Sequence, residues 1–181
     1  RASLYLPEGY RFLDAGEAKK FMELTQNIPS ENEYILAPDD FRWWTVFEFS
    51  DIGYVKDNES LNSADILDSI KQGTAAGNEE RRRRGWDTMS ITGWRFEPRY
   101  DKTENLLEWA VAAKNDKDQL PIINYNTRLL GRSGVMEVVL IAEPDVLDGS
   151  VVELKRTLKG FHYNSGETYA EYREGDHTAE Y

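Results

Sequence analysis

The sequence predicts a single α+β domain: an antiparallel sheet of five to six strands with helices packed on it. Three observations predict it. Between residues 89 and 142 the chain is a succession of short apolar runs of strand length, whereas helical periodicity is confined to three separate stretches. Most of the runs are joined by turns of a few residues rich in Gly, Asp and Pro, the connections of hairpins and not of parallel crossovers. The chain of 181 residues, with five Trp, ten Tyr and seven Phe, can bury a core without a disulfide or metal staple.

The elements follow in order. Leu4 to Phe12 reads as a short strand broken by the turn Pro7-Glu8-Gly9. Asp14 caps a helix, Glu17 completes a capping box, and Ala18, Phe21, Met22 and Thr25 form the apolar face until Asn27, Pro29 and Ser30 end it. Residues 33–38 and 42–50 are two strands joined at Pro38-Asp39-Asp40, the second carrying Trp43, Trp44, Val46, Phe47 and Phe49, bulky side chains that suit a sheet. A polar loop from Gly53 to Ser60 leads into a helix from Ser63 to Arg84, with Ile66, Leu67, Ile70 and Thr74 on one side. Gly73 and Gly77 weaken that helix by roughly 1 kcal/mol each against alanine, and Gly85 stands where a helix C-terminus needs it. Strands 89–97 and 105–113 flank Tyr100-Asp101-Lys102-Thr103; strands 120–130 and 135–142 flank Gly131-Arg132-Ser133-Gly134. Pro144 and Asp145 open a last helix with Leu147, Val151, Leu154 and Leu158 in line and Gly160 to stop it, and the tail from Phe161 is aromatic and acidic. No repeat, low-complexity tract or linker divides residues 1–181.

Composition excludes several functions. The net charge of -11 opposes a nucleic-acid backbone or an anionic lipid surface as partner. The absence of cysteine removes thiol nucleophiles, disulfides and cysteine metal sites, and fits an oxidising compartment. Within residues 1–181 there is no run of about 18 apolar residues to span a bilayer. Histidine, the usual proton-transfer group near neutral pH, occurs only as His162 and His177. Ser133 lies between Gly131 and Gly134, where hairpin geometry accounts for the glycines, and no serine stands in a nucleophile-elbow context. Asp39-Asp40 and Asp57-Asn58-Glu59 read as acidic turns and not as calcium ligands. No catalytic residue, metal or cofactor is expected.

Two features stand out. Arg81 to Arg84 is the only basic run; it is either a contact for an anionic headgroup or a helix C-terminus whose cations offset the macrodipole and pair with Glu79 and Glu80. Strand alternation puts Asn124, Asn126 and Arg128 on one face, with Ile123, Tyr125, Thr127 and Leu129 on the other. Enclosed by helices, the polar row needs partners for every amide and guanidinium group. Either Asp57, Asp101 or Glu108 pairs with Arg128 in a structural network, or the row lines a small pocket with Trp94 or Trp109 as a stacking wall. Asn124, Asn126, Arg128, Trp94, Trp109 and Asp101 are therefore the candidate ligand-binding residues.

Several stretches also carry a family resemblance. They are Leu6 to Leu13, Gly53-Tyr54-Val55-Lys56-Asp57, Asn78-Glu79-Glu80-Arg81, Gly93-Trp94, Pro98-Arg99-Tyr100-Asp101, Trp109, Tyr169 and Asp176-His177-Thr178-Ala179-Glu180-Tyr181. The most specific runs from Asn124-Tyr125-Asn126-Thr127-Arg128 through Leu129-Leu130 to Gly131-Arg132-Ser133-Gly134, although Ile123 replaces the leucine often seen before it. Over nearly its whole length the chain resembles the bacterial membrane-anchored proteins known as domain of unknown function 2167, and its element order resembles the PsbP/Mog1-like α/β/α sandwich. The resemblance implies one periplasmic or cell-surface domain over 1–181, a signal peptide before it and a membrane-anchoring helix after Tyr181, and no particular catalytic residue. The function expected is a non-enzymatic envelope module that binds a protein or small-molecule partner. The alternatives are a hydrolase using Asp57, Asp101 and Glu108, or a purely structural assembly domain.

Overall fold

The structure, a computed structural model, describes residues 1–56, 61–101, 103–104 and 106–179. In chain order the elements are β1 (Ala2–Leu4), β2 (Tyr10–Leu13), α1 (Ala15–Leu24), β3 (Glu33–Pro38), β4 (Trp44–Ser50), α2 (Ser63–Arg83), β5 (Met89–Asp101), β6 (Leu106–Asn115), β7 (Pro121–Leu130), β8 (Val135–Ala142), α3 (Leu147–Leu158) and β9 (Phe161–Tyr163). A short 3-10 turn, Tyr169–Glu171, follows.

The α+β reading holds. The main sheet has seven strands in the order β2-β3-β4-β8-β7-β6-β5, and every neighbouring pair is antiparallel. Its seven strands exceed the five to six expected, and Leu4 to Phe12 does not form one interrupted strand. Its first part pairs with β9 in a separate two-stranded sheet, and its second part adds an edge beside β3. Gly9, at φ 86°, makes the break between them. The opposite edge, β5, runs for 13 residues, past Pro98, with register shifts between Ile91 and Gly93, Trp94 and Phe96, and Phe96 and Arg99.

Alternation sorts the sheet into two buried faces. On one, Leu36, Phe47, Val138, Leu140, Tyr125, Ile123 and Ala110 pack beneath Leu147, Leu154 and Leu158 of α3. Burying each such leucine contributes about 1.5–3 kcal/mol. On the other face Ala18 and Met22 of α1 pack on Ile35 and Val46, with Leu13, Trp44 and Ile141 around them. α2 lies on the same side as α1, against β5. The result is an α/β/α sandwich.

Local signals explain where the helices begin and end. Asp14 accepts from the Glu17 N–H, and the Glu17 carboxylate accepts from the Asp14 N–H, the reciprocal box read from the sequence. Asn62 caps α2 by accepting from the Ala64 and Asp65 N–H groups. At the other end Gly85 takes φ 72°, the Gly85 N–H reaches the Arg82 carbonyl and the Trp86 N–H reaches the Arg81 carbonyl, closing a Schellman motif. Asn78 latches α2 to the sheet by accepting from the Met89 N–H and donating to the Met89 carbonyl. The arginine run belongs to this helix end: Arg82 pairs with Glu79, Arg83 and Arg84 pair with Glu80, and Arg84 stacks on Trp86. Gly73 of α2 faces open space, whereas a Cβ on Gly77 would meet the Ile28 side chain at 3.5 Å. No helix among the described residues is long and apolar enough to cross a membrane.

Candidate functional site

The polar row sits where alternation placed it, half-buried on the face shared with α1 and α2. Asn126 is opposite Trp109, Asn124 opposite Val111, and Trp94 opposite Val111 from the other side, so Trp94 and Trp109 share that face. The Arg128 guanidinium lies 4.8 Å from the Trp109 ring centre and 3.5 Å from the Glu137 carboxylate. Arg128 donates to the Thr127 carbonyl and Asn126 to the Asn124 carbonyl. The row is thus served largely by its own strand and by β8. Trp109 is 8% exposed, and its indole N–H has no hydrogen-bond partner among the described residues.

Asp101 does not join this row. It pairs with Lys155 of α3 at 2.7 Å, on the opposite face. Nor does Glu108 reach Arg128: it is the strand neighbour just before Trp109 and therefore points to the opposite, α3 side. Asp57, the third acid considered for Arg128, lies outside the described residues.

Asp101 and Glu108 instead share a charge network around Lys155, buried at Glu108. Glu108, 2% exposed, accepts from the Tyr125 hydroxyl at 2.7 Å, from Lys155 Nζ at 2.9 Å and from Arg99 Nε at 2.9 Å. Burial pushes the Glu108 carboxyl up, but the Tyr125, Lys155 and Arg99 hydrogen bonds outweigh it and hold it below the usual range. The hydrogen bond from Lys155 likewise lowers Asp101. Burial and then the Glu108 carboxylate raise Tyr125 far above an ordinary phenol. Each acid is held ionised beside a cation, a poor state for donating a proton at neutral pH.

A site that the sequence reading did not assemble lies at the end of the sheet where β4 and β7 finish and β8 begins. Three stretches meet there: residues 51–55 after β4, the β7–β8 turn 131–134, and the C-terminal segment 164–179. The Gly53 N–H donates to the Ser133 carbonyl, the Tyr54 N–H to the His177 carbonyl, and the Ala179 N–H to the Tyr54 carbonyl. Bridges Tyr54–Thr178 and Gly131–Thr168 fix the C-terminal segment on both sides. Tyr54 is sandwiched between Tyr169, at 4.6 Å, and Tyr172, at 4.2 Å. Arg132 grips the Asp176 carboxylate with two hydrogen bonds of 2.7 and 2.8 Å, which with the Arg173 N–H hold Asp176 down to about 2.

The glycines of this turn serve close approach. A Cβ on Gly134 would stand 2.1 Å from the Ser50 carbonyl oxygen, one on Gly131 2.8 Å from the Tyr163 ring, and neither residue has positive φ. Gly53, at φ 97°, has the His177 ring and backbone within 3 Å of where its Cβ would be. The Gly131 N–H donates to the Gly134 carbonyl across the turn, the hairpin geometry expected of these glycines, and in addition β4 and β9 press on the turn from outside.

Between these stretches lies an open cleft of about 300 Å³ lined by Asp51, Gly53, Arg132, Ser133, Gly166, Glu167, Asp176 and His177. Ser133 and His177 share it with carboxylates, yet not as a proton relay. The Ser133 hydroxyl donates to Glu167 at 3.1 Å and accepts from Arg1 at 2.7 Å, and no hydrogen bond joins it to the His177 ring among the described residues. His162 is elsewhere, opposite Ser3 on β9. The one hint in the sequence was that Gly53-Tyr54, Gly131 to Gly134 and Asp176-His177 all fall in the stretches that carry the family resemblance.

Comparison with known proteins agrees with this architecture. The fold is similar to the solution structure of cyanobacterial PsbP (CyanoP) from Synechocystis sp. PCC 6803, with a TM-score of 0.51 and 10% identity over 90% of this chain and 86% of that one. At that identity the likeness is one of fold. No curated protein matches the chain. The sequence model of one family matches residues 1–181, the whole chain, and by that match the protein belongs to the family described as protein of unknown function, DUF2167.

Proposed function

We propose that this domain is a non-enzymatic binding module of the bacterial envelope, anchored to a membrane by a segment outside residues 1–181, which takes a small polar ligand or a peptide group in the cleft at the β7–β8 turn. The carrying observation is a contrast in how polar groups are used. The buried acid Glu108 is matched by Lys155, Arg99 and Tyr125, and the half-buried Asp101 by Lys155 and the Thr103 and Glu104 N–H groups. In the cleft, the Asp51 carboxylate and the His177 ring make no hydrogen bond or ion pair among the described residues, and they stand in a space of ligand size. The absence of cysteine and the family resemblance support the envelope compartment.

Amide chemical-shift mapping with four probes of different charge (glucose, phosphate, putrescine and the peptide Gly-Lys-Gly) tests this. Saturable shifts should cluster at 51–53, 132–133, 166–167 and 176–177. Shifts with no probe, or shifts confined to another surface, refute it.

A hydrolase is the second reading, favoured only by the presence of Ser133, His177 and Glu167 in one cleft. Hydrolysis of p-nitrophenyl acetate that is lost in both Ser133→Ala and His177→Ala would establish it over the first.

A further inference from the structure

The middle of the sheet is left partly uncovered on one side. Helices α1 and α2 sit towards opposite edges of the same face, α1 on Ile35 and Val46 of β3 and β4, and α2 against β5. Between them run β8, β7 and β6. Towards α3 these strands bury Val138, Leu140, Tyr125, Ile123 and Ala110 almost completely. Towards α1 and α2, Val139, Ile141, Asn124 and Asn126 stay half-buried, although central strands of a sandwich are ordinarily sealed by both layers. We propose that this face is a second binding site, for a neutral saccharide. It shares no residue with the cleft at the β7–β8 turn and does not depend on it.

Register fixes what the floor displays. Trp44, Ile141, Asn124, Val111 and Trp94 stand in one line across five strands, about 19 Å from end to end at about 4.8 Å per strand. The next line sets Trp109 opposite Asn126. The buried Trp109 indole N–H has no hydrogen-bond partner among the described residues, a state that costs free energy until an acceptor meets it. Beside it, the Asn126 Oδ1 and the whole side-chain amide of Asn124 make no hydrogen bond among the described residues. Unmatched donors and acceptors thus stand side by side.

Charge is missing from that unmatched set. Arg128 is engaged by Glu137, the Thr127 carbonyl and the Trp109 ring. An ion would find no counter-charge, whereas a hydroxyl group both donates and accepts. A sugar ring also turns a flat C–H face towards an aromatic wall. The half-buried Trp94 ring offers one, with no aromatic or cationic partner among the described residues. α2 keeps no residue fully buried, so the layer on the Trp94 side can shift to let an acceptor reach the indole.

Titration of the whole domain with maltotriose and with chitotriose, followed by amide and tryptophan indole chemical shifts, tests this. The Trp109 indole signal and the amides of residues 94, 109, 124 and 126 should move saturably with at least one of them. Trp109→Phe keeps an aromatic ring under Arg128 and removes the N–H, and should weaken binding roughly fivefold, the worth of one neutral hydrogen bond. Asn124→Ala removes a donor and an acceptor together and should weaken binding about tenfold or more. Asn124 has no side-chain hydrogen bond to lose, so that variant should melt with the wild type, and it carries the test should Trp109→Phe disturb packing. If neither trisaccharide moves these signals, or Asn124→Ala binds as tightly as the wild type, the inference fails. Shifts on this face from phosphate or Gly-Gly-Gly, with none from a saccharide, overturn it as well. Saccharide shifts confined to 51–53 and 176–177 overturn this site and leave the β7–β8 cleft standing.

Discussion

Replacing Lys155 with methionine should be the most informative single perturbation of the core. The substitution keeps the length of the side chain and removes the ammonium that stands 2.9 Å from Glu108 and 2.7 Å from Asp101. Stranding one member of a buried ion pair costs about 3–5 kcal/mol. Two partners of Glu108 survive: the Tyr125 hydroxyl at 2.7 Å, and Arg99, whose side chain is 60% exposed and screened by water. The expected loss is therefore about 2–4 kcal/mol at pH 7, a fall in Tm of roughly 5–12 °C for a domain of this size. Acid should expose the mechanism. In the wild type Glu108 is held below its ordinary value, so it stabilises the fold above the unfolded-state carboxyl pKa, and that contribution is lost as the pH falls through the lower folded value. Without Lys155, burial prevails and Glu108 takes up a proton more readily in the folded state. The gap between variant and wild type should narrow from pH 7 towards pH 4.5, read by calorimetry or urea melts. A loss under about 1 kcal/mol, or a gap independent of pH, would refute the account of Glu108 as a carboxylate kept ionised by its cations.

Other perturbations test separate parts of the fold. Arg128→Ala removes the stack on Trp109 and the ion pair with Glu137, and should destabilise by about 1–3 kcal/mol in urea melts. Burial, then the neighbouring Glu48, raises the carboxyl of Glu33, so its charge opposes folding at neutral pH and protonation relieves it. Glu33→Gln keeps an acceptor for the Ser30 N–H, and should raise Tm at pH 7 with a gain that vanishes on acidification. Asp176→Asn should free the C-terminal segment, seen as faster limited proteolysis within 164–179. Because the wild-type group sits near about 2, that tie should persist on acidification through the ordinary aspartate range.

Local chemistry was legible in the sequence and long-range assembly was not. The capping box of Asp14 and Glu17, the Gly85 terminus of α2 and the Leu147–Leu158 stripe of α3 are set by residues within a turn or two of one another, so each appeared with its reason. The facing of Asn124, Asn126 and Arg128 was legible because a strand has period two. The register shifts in β5 broke that rule: they bring Arg99 to the same side as Phe96, 4.0 Å from its ring, which makes Arg99 available to Glu108. Asp101 was grouped with the polar row as an acid able to pair with Arg128, and only the structure sends it to Lys155. The cleft was hidden because residues 51–55, 131–134 and 164–179 are joined by tertiary contacts and by no periodicity.

The irregular outer strand has a further consequence for life at high concentration. β5 offers a long row of backbone donors and acceptors at the rim of the sheet, an invitation to pair with another molecule. Its three shifts of register, the missing N–H at Pro98 and Gly93 at φ 143° leave no straight stretch on which an incoming strand could stay aligned for long. Smoothing that rim, by deleting a bulged residue or replacing Pro98, should increase edge-to-edge pairing, read as faster fibre seeding in a thioflavin assay.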